Sequence, residues 1–275
     1  MTEQTTGAVR AGEQAGAEHV PYARTVRGSG PGLLLAHGGG GSVEANYGPV
    51  LPALAAARTV VGADYPGTGG TPRATSPLRL DELADELVAA ADAEGLDRFA
   101  VSGYSLGGTV AVRIAARHPE RVTALLLTAT FGHPSPQLRL AAETWRTLAA
   151  AGDLDTFARF LLPYALSDRA LHALTDEQLA ATLEEMAATV PPGSGDHADL
   201  VSRADVRADL ARITAPTLVV VTTEDRLVPP LAQRELAAAI PGAHVAEIPT
   251  GHLPFAELPD EWGTLMVKFL RETGV

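Results

Sequence analysis

The chain has 275 residues, no cysteine and a formal net charge of −12 at pH 7. The lack of cysteine excludes disulfides, thiolate metal sites and a cysteine nucleophile. The acidic balance argues against nucleic acid as a partner, because phosphate-binding surfaces need clusters of Lys and Arg. At this length the chain can form one large α/β domain or two small ones, with a substantial buried core.

The first twenty residues are small and polar, and they predict a flexible N-terminal tail over residues 1–20. They lack the apolar segment of a signal peptide, and no later run is long and apolar enough to cross a bilayer. We therefore expect a cytoplasmic protein with no membrane partner.

Beyond this tail, short apolar runs alternate with helix-like stretches. The runs are continuously apolar, as expected for strands of a parallel sheet that is covered on both faces. The predicted strands cover residues 33–36, 59–63, 98–101, 122–127, 217–221 and 244–248. Helical patterns such as residues 80–94 and 231–239 lie between them. This repetition predicts an α/β fold with a doubly wound, mostly parallel sheet.

A long interval between the fourth and fifth predicted strands contains helical patterns instead, over residues 138–151, 153–162 and 176–189. Asp153 and Thr175 are predicted helix N-caps, Gly152 is a predicted helix stop, and residues 191–195 are a predicted loop. An insertion here would lie over the carboxyl ends of the strands, where ligands bind in open α/β sheets. We predict a core of residues 21–131 and 209–275, and a helical cap of residues 132–208.

The run Gly103-Tyr104-Ser105-Leu106-Gly107-Gly108 follows a predicted strand and precedes a helix-like stretch. A serine between glycines at a strand-to-helix turn is the pattern of a nucleophile elbow. The turn is so sharp that side chains at 103 and 107 would collide with the neighbouring strand or helix. Its position at a helix N-terminus favours a developing negative charge. The alternative is a glycine-rich turn without chemistry, and the residues that accompany the serine decide between the two.

A serine nucleophile needs a base to take its proton, and the base needs a carboxylate to orient it. Asp225 and His252 each follow a predicted strand, and they follow the serine in the order that an elbow of this type requires. Glu224 is a rival acid, whereas His37 fits a structural role in its loop and His133 opens the predicted cap. We predict Asp225 as the orienting acid and His252, after the last strand, as the base.

The oxyanion formed in such a reaction needs two backbone N–H donors. The residue after the nucleophile, Leu106, is the first candidate. The second donor is expected from the glycine-rich turn of residues 38–41, where glycine lets the backbone approach a substrate oxygen closely. A flexible loop is the alternative interpretation of this turn. A phosphate-binding loop is excluded because the Lys-Ser/Thr ending of that motif is absent.

Together these motifs resemble the α/β-hydrolase fold superfamily, from about residue 20 to the C-terminus. The segments that carry the resemblance are residues 37–39, 64–71 and 103–108, Asp225, and residues 251–255. The resemblance implies that Gly39 supplies the second oxyanion donor. The pattern is similar to that of small cap-bearing hydrolases, which include esterases, lactonases, carbon–carbon bond hydrolases and cofactor-free haloperoxidase-like enzymes.

The resemblance implies a serine hydrolase that cleaves an ester, lactone or related carbonyl substrate through an acyl-enzyme, with no metal or other cofactor. We expect a small to medium, mostly apolar substrate and a monomer or homodimer. The expected substrate contacts are Gly38, Gly40, Tyr104, Phe131, Val228 and Leu253. Alternatives on the same scaffold are an acyltransferase, a carbon–carbon bond hydrolase, a biosynthetic cyclase or isomerase, and a non-catalytic ligand-binding protein.

Overall fold

A computed structural model of the chain describes residues 22–274. The predicted N-terminal tail of residues 1–20 lies outside the described residues. The strands are β1 (Arg24–Arg27), β2 (Gly32–Ala36), β3 (Thr59–Ala63), β4 (Phe99–Tyr104), β5 (Val122–Thr128), β6 (Thr217–Thr222) and β7 (His244–Ile248). They form one sheet in the order β1-β3-β2-β4-β5-β6-β7, in which only β1 is antiparallel to its neighbour. The predicted doubly wound, mostly parallel sheet is confirmed.

Helices connect these strands. They are α1 (Val43–Tyr47), α2 (Leu51–Ala55), α3 (Leu80–Ala93), α4 (Leu106–Arg117), α5 (Pro136–Ala151), α6 (Leu154–Ala165), α7 (Asp168–His172), α8 (Asp176–Ala188), α9 (Ser194–Arg203), α10 (Arg207–Leu210), α11 (Pro230–Ala239), α12 (Pro254–Glu257) and α13 (Pro259–Glu272). The predicted helices over residues 80–94 and 231–239 correspond to α3 and α11.

The central strands are apolar throughout because both faces of the sheet are covered. In β2, Leu34 faces a core layer that includes buried side chains of α3 and α4, whereas Leu33 and Leu35 face a layer that includes α1, α2 and α13. Neighbouring residues of a strand point to opposite faces, so a strand inside such a sheet has no polar side. Burying each of these leucines contributes roughly 1.5–3 kcal/mol.

Strand β1 was not predicted from the sequence. Its four residues begin and end with an exposed arginine, Arg24 and Arg27, and its two middle residues are only half-buried. It pairs along one side only, with β3, at the edge of the sheet. An edge strand of this kind lacks the apolar run that identifies the buried strands.

Only helices lie between β5 and β6, as the sequence predicts. The hydroxyl or carboxylate oxygens of Thr175 and Asp153 accept from backbone N–H groups at the starts of α8 and α6, and Gly152 ends α5 in the left-handed region at φ 68°. The loop prediction for residues 191–195 is wrong at its end, because Ser194 begins α9. This helix was missed because its sequence is polar, although its inward face packs against α5.

Candidate active site

Ser105 occupies the turn between β4 and α4, and its backbone is held at a positive φ, with φ 52° and ψ −120°. The crowding expected around the elbow is present. A Cβ atom at position 107 would lie 1.9 Å from the carbonyl oxygen of Ala36, and one at position 103 would lie 2.4 Å from that of Gly107. The strained backbone of Ser105 costs on the order of 1–3 kcal/mol and persists only where the surrounding structure fixes it.

The structure brings Ser105, His252 and Asp225 together at the carboxyl ends of β4, β7 and β6. Nε2 of His252 lies 2.9 Å from Oγ of Ser105, and Nδ1 of His252 lies 2.7 Å from Oδ2 of Asp225. All three side chains are buried. When Nδ1 carries the proton and donates a hydrogen bond to the carboxylate, Nε2 has a free lone pair that can accept the proton of the serine hydroxyl. This geometry fits a nucleophile, a base and an orienting acid.

The carboxylate of Asp225 is fixed by its own hydrogen bonds. Oδ1 accepts from the N–H groups of Leu227 and Val228, both at 2.9 Å. Oδ2 accepts from the hydroxyl of Thr222 at 2.9 Å and from Nε2 of Gln233 at 3.3 Å, as well as from His252. These donors hold the acid in one orientation.

The rival acid, Glu224, pairs with an arginine, whereas His252 pairs with Asp225. Glu224 lies 3.7 Å from Arg169, near the surface. The two other histidines that the sequence singled out also have different surroundings. His37 is fully buried, whereas His133 is exposed in the segment between β5 and α5.

His37 fixes the start of the glycine turn. Its Nε2 accepts from the N–H of Tyr65 at 2.8 Å, so its Nδ1 carries the proton and donates to the carbonyl oxygen of Gly38 at 2.8 Å. Burial, followed by the neighbouring His197, lowers the pKa of His37 to about 3. The ring is therefore neutral over the physiological range, and its role is structural.

A cavity of about 150 Å³ opens at Ser105. The backbones of Gly39 and Gly40 form part of its wall, and the predicted contacts Tyr104 and Leu253 also line it. Most of the remaining lining is apolar and comes from the helices between β5 and β6. These side chains are Leu138, Trp145, Leu161, Ala165, Met186 and Val201.

Three predicted substrate contacts are placed differently. Gly38 has its N–H bound to Oδ1 of Asn46 at 2.9 Å, and its α-carbon faces the ring of Tyr104. Phe131 and Val228 are fully buried in the core layer with α3 and α4 and do not line the cavity. Both follow strand ends in the sequence, but their side chains pack in the core.

Three residues at the site were missed by sequence reasoning: Asn46, Trp145 and His197. Asn46 and Trp145 line the cavity, and His197 binds the glycine turn. A tryptophan in a predicted cap helix was the only available signal. The other two positions depend on contacts between distant parts of the chain.

Side chains of the described residues give no grouping of three or more His, Asp or Glu suited to a metal ion. Within the same part of the chain, no helix combines the length and apolar character that crossing a membrane requires.

A family model described as alpha/beta hydrolase fold matches residues 31–259. Over 247 residues the chain is 32% identical to pyrrolizixenacetamide deacetylase of Xenorhabdus hominickii, covering 89% of this chain and 92% of that protein. It is also 32% identical to the pimeloyl–(acyl-carrier protein) methyl ester esterase of Aromatoleum aromaticum over 262 residues, covering 88% of this chain and 98% of the esterase.

Among solved structures, the enol-lactonase from Burkholderia xenovorans LB400 superimposes with a TM-score of 0.80 at 25% identity. The match covers 91% of this chain and all of the lactonase. These relatives carry the names of hydrolases that act on different carbonyl substrates. The sheet order and the extent of the family match show that the chain is an enzyme of the α/β-hydrolase family.

Proposed function

We propose that the protein is a serine hydrolase that cleaves an ester, lactone or related carbonyl substrate through an acyl-enzyme. The observation that carries this proposal is the continuous set of hydrogen bonds from Ser105 through His252 to Asp225, at 2.9 and 2.7 Å. It begins at a cavity wall and ends at a carboxylate held by further donors. A serine with a purely structural role would need neither a base nor an orienting acid.

In the proposed reaction, Nε2 of His252 takes the hydroxyl proton of Ser105 as Oγ bonds to the substrate carbonyl carbon. The N–H groups of Gly39 and Leu106 stabilise the resulting oxyanion. Leu106 is suited to this because it is the first residue of α4, where N–H groups lack partners within the helix.

The tetrahedral intermediate then collapses, and His252 gives its proton to the departing alcohol. Water enters, His252 takes one of its protons, and the hydroxide attacks the acyl carbon. Collapse of this second intermediate returns the proton to Ser105 and releases the acid. Asp225 orients the imidazole and stabilises its positive charge throughout.

We propose that residues 132–208 act as a cap on this site. Their helices supply most of the apolar cavity wall, including Leu138, Trp145 and Val201. A wall of this kind excludes water, which strengthens the hydrogen bonds to the oxyanion.

The cavity suggests a short, uncharged acyl group. Its volume of about 150 Å³ is below the roughly 300–1,000 Å³ of pockets that enclose drug-sized ligands. No Lys, Arg, Asp or Glu is found among the described residues that line it. A carboxylate on the acyl group would therefore lose its hydration without gaining a counter-charge.

An N-acetyl amide is a second candidate substrate. A relative at 32% identity is named as a deacetylase, and an acetyl group is small enough for the cavity. The chemistry differs only in the leaving group, because the departing amine must receive the proton from His252.

Labelling with a fluorophosphonate, which reacts with activated serines, tests the proposal. The wild-type protein and Ser76→Ala, which changes an exposed serine, should both label, and Ser105→Ala should not. Hydrolysis of short p-nitrophenyl esters should follow the same pattern. Equal labelling of Ser105→Ala would contradict the proposal, and so would a wild-type protein that neither labels nor hydrolyses esters, which would favour a ligand-binding role.

A further inference from the structure

His197 extends from α9 to the glycine turn. Its Nδ1 lies 3.0 Å from the backbone nitrogen of Gly40, and its Nε2 lies 3.0 Å from the carbonyl oxygen of Pro66. The side chain is fully buried. A histidine from the helical segment between β5 and β6 is thus inserted between two loops that follow β2 and β3.

These two partners determine the proton on the ring. The N–H of Gly40 can only donate, so Nδ1 must offer its lone pair. The carbonyl of Pro66 can only accept, so Nε2 must carry the proton. His197 is therefore a neutral imidazole with each nitrogen used, and burial lowers its pKa in agreement with this assignment.

The three peptide groups around Gly39 are each held by a different side chain. Asn46 accepts from the N–H of Gly38, His37 donates to the carbonyl of Gly38, and His197 accepts from the N–H of Gly40. Because a peptide group is planar, each bond fixes the orientation of one plane. The N–H and C=O of a trans peptide point in opposite directions, so the His37 bond directs the N–H of Gly39 away from His37.

Glycine itself cannot hold such an orientation, because its backbone has access to more conformations than that of any other residue. His37 and Asn46 fix the two planes before the α-carbon of Gly39, and the plane after it depends on His197. Gly40 is also in the left-handed region, at φ 70°, where the chain would otherwise be free to move.

We propose that His197 is a positioning residue for oxyanion binding. It holds the peptide plane between Gly39 and Gly40, so the α-carbon of Gly39 is fixed from both sides. The N–H of Gly39, which belongs to the plane held by His37, then keeps its position toward the substrate oxygen. Residues 132–208 would then contribute to the rate by fixing a donor as well as by covering the cavity. This inference rests on the proposed serine hydrolase function.

The two bonds of His197 can be separated by substitution. In His197→Asn, the side-chain oxygen can take the place of Nδ1 and accept from Gly40, while the contact with Pro66 is lost. In His197→Gln, the side-chain nitrogen can take the place of Nε2 and donate to Pro66, while the acceptor for Gly40 is lost. The loop of Pro66 also keeps a bond from the N–H of Gly193 to the carbonyl of Gly67, at 2.9 Å.

The experiment compares both variants with wild type and with His172→Gln, which changes an exposed histidine of α7. Each is assayed on a short p-nitrophenyl ester, and kcat is expressed per competent site after fluorophosphonate titration. We expect His197→Gln to lower kcat about 10- to 100-fold, as for partial loss of an oxyanion donor, with KM nearly unchanged. We expect His197→Asn to stay within about fivefold of wild type.

Binding of a boronic acid, which mimics the tetrahedral intermediate, provides a second measurement. It should weaken in His197→Gln by about the same factor as kcat falls, because both depend on the oxyanion donors. The inference would be overturned if both variants kept the wild-type kcat per competent site, or if His197→Asn fell as far as His197→Gln. A wild-type protein that failed to react with fluorophosphonate would instead overturn the proposed function on which the inference rests.

Discussion

Gly251 packs directly against the backbone of Ser167. A Cβ atom at position 251 would lie 2.4 Å from the backbone nitrogen of Ser167. The N–H groups of both residues donate to Oε1 of Glu257, at 2.9 and 3.0 Å, and the hydroxyl of Ser167 donates to Oε2 at 2.5 Å. The loop that carries His252 is therefore joined to the connection between α6 and α7 without room for a side chain.

The first prediction concerns this contact. In Gly251→Ala, the added methyl group must displace either the backbone at Ser167 or the loop of His252. We expect a loss of about 1–3 kcal/mol in the free energy of unfolding, as for other overpacked sites. We also expect kcat per folded molecule to fall at least about tenfold, because the loop that carries His252 is displaced.

Urea unfolding and ester hydrolysis measure the two effects. Gly195→Ala is the matched control, because a Cβ atom there would meet its nearest neighbour at an ordinary 3.7 Å. Wild-type stability and kcat in Gly251→Ala would show that Gly251 and the backbone of Ser167 are not in close contact.

The second prediction concerns Gln233, which is fully buried beneath Asp225. Its Oε1 accepts from the N–H of Thr222 at 3.0 Å, and its Nε2 donates to the hydroxyl of Thr222 and the carbonyl of Val228, both at 2.8 Å. Replacing it with Leu leaves these groups without partners and removes a donor to Asp225. We expect about 1–3 kcal/mol of destabilisation and a decrease of roughly tenfold in kcat.

Chemical denaturation and steady-state kinetics on Gln233→Leu provide the measurement. Gln178→Leu, at the exposed start of α8, loses one helix-capping hydrogen bond and serves as the control for kcat, which should stay at the wild-type value. A kcat for Gln233→Leu equal to that of wild type would show that the acid does not need this support.

The third prediction concerns chain length in the substrate. The indole of Trp145 lines the cavity, and its Nε1 donates to Oγ of Ser194 at 2.7 Å. Ser194 also lines an open groove on the other side, so the pair separates the cavity from this groove. Trp145→Leu should remove part of the wall and shift the preferred p-nitrophenyl ester from short to longer acyl chains, by about tenfold in relative kcat/KM.

Leu140→Ala, an exposed position on the same helix, should leave the chain-length profile unchanged. The stability cost of Trp145→Leu should stay below the roughly 3–5 kcal/mol of truncating a buried tryptophan to alanine. If Trp145→Leu kept the wild-type profile, the acyl group would have to lie elsewhere.

The fourth prediction concerns stability at low pH. Burial lowers the pKa of His37 to about 3 in the folded state, whereas an unfolded histidine titrates near 6.5. Between these values the unfolded chain binds the additional proton, so folding stability falls as the pH decreases from about 6.5. From this residue alone we expect a loss of about 2 kcal/mol between pH 7 and pH 5.

Urea unfolding at the two pH values tests this. The loss should be smaller in His37→Gln than in wild type, whereas His244→Gln, at an exposed position, should retain the full loss. Equal pH dependence in all three proteins would contradict the buried neutral state of His37.

Sequence patterns predicted the features that lie directly after the end of a strand. The elbow around Ser105, and the positions of Asp225 and His252 after β6 and β7, follow from apolar runs and the residues after them. The same reasoning placed Phe131 and Val228 at the site, because a strand end does not reveal which way the following side chains turn. Both lie in the core instead.

Features that depend on distant contacts could not be predicted. Strand β1 is identified by its pairing with β3, and α9 by its packing against α5. His197 is separated from Gly40 by most of the chain, and nothing in its neighbouring sequence distinguishes it from a surface histidine. Its proposed role depends on the hydrogen bond between its ring and the N–H of Gly40, which only the folded chain brings together.

The most direct test of the proposed chemistry is to trap the acyl-enzyme. The protein is mixed with p-nitrophenyl acetate, quenched with acid within one turnover, digested and analysed by mass spectrometry. We predict an acetyl group on the peptide that contains Ser105, and none on that peptide in Ser105→Ala. Hydrolysis at the wild-type rate with no acetyl group on Ser105, or with the acetyl group on another residue, would contradict the mechanism.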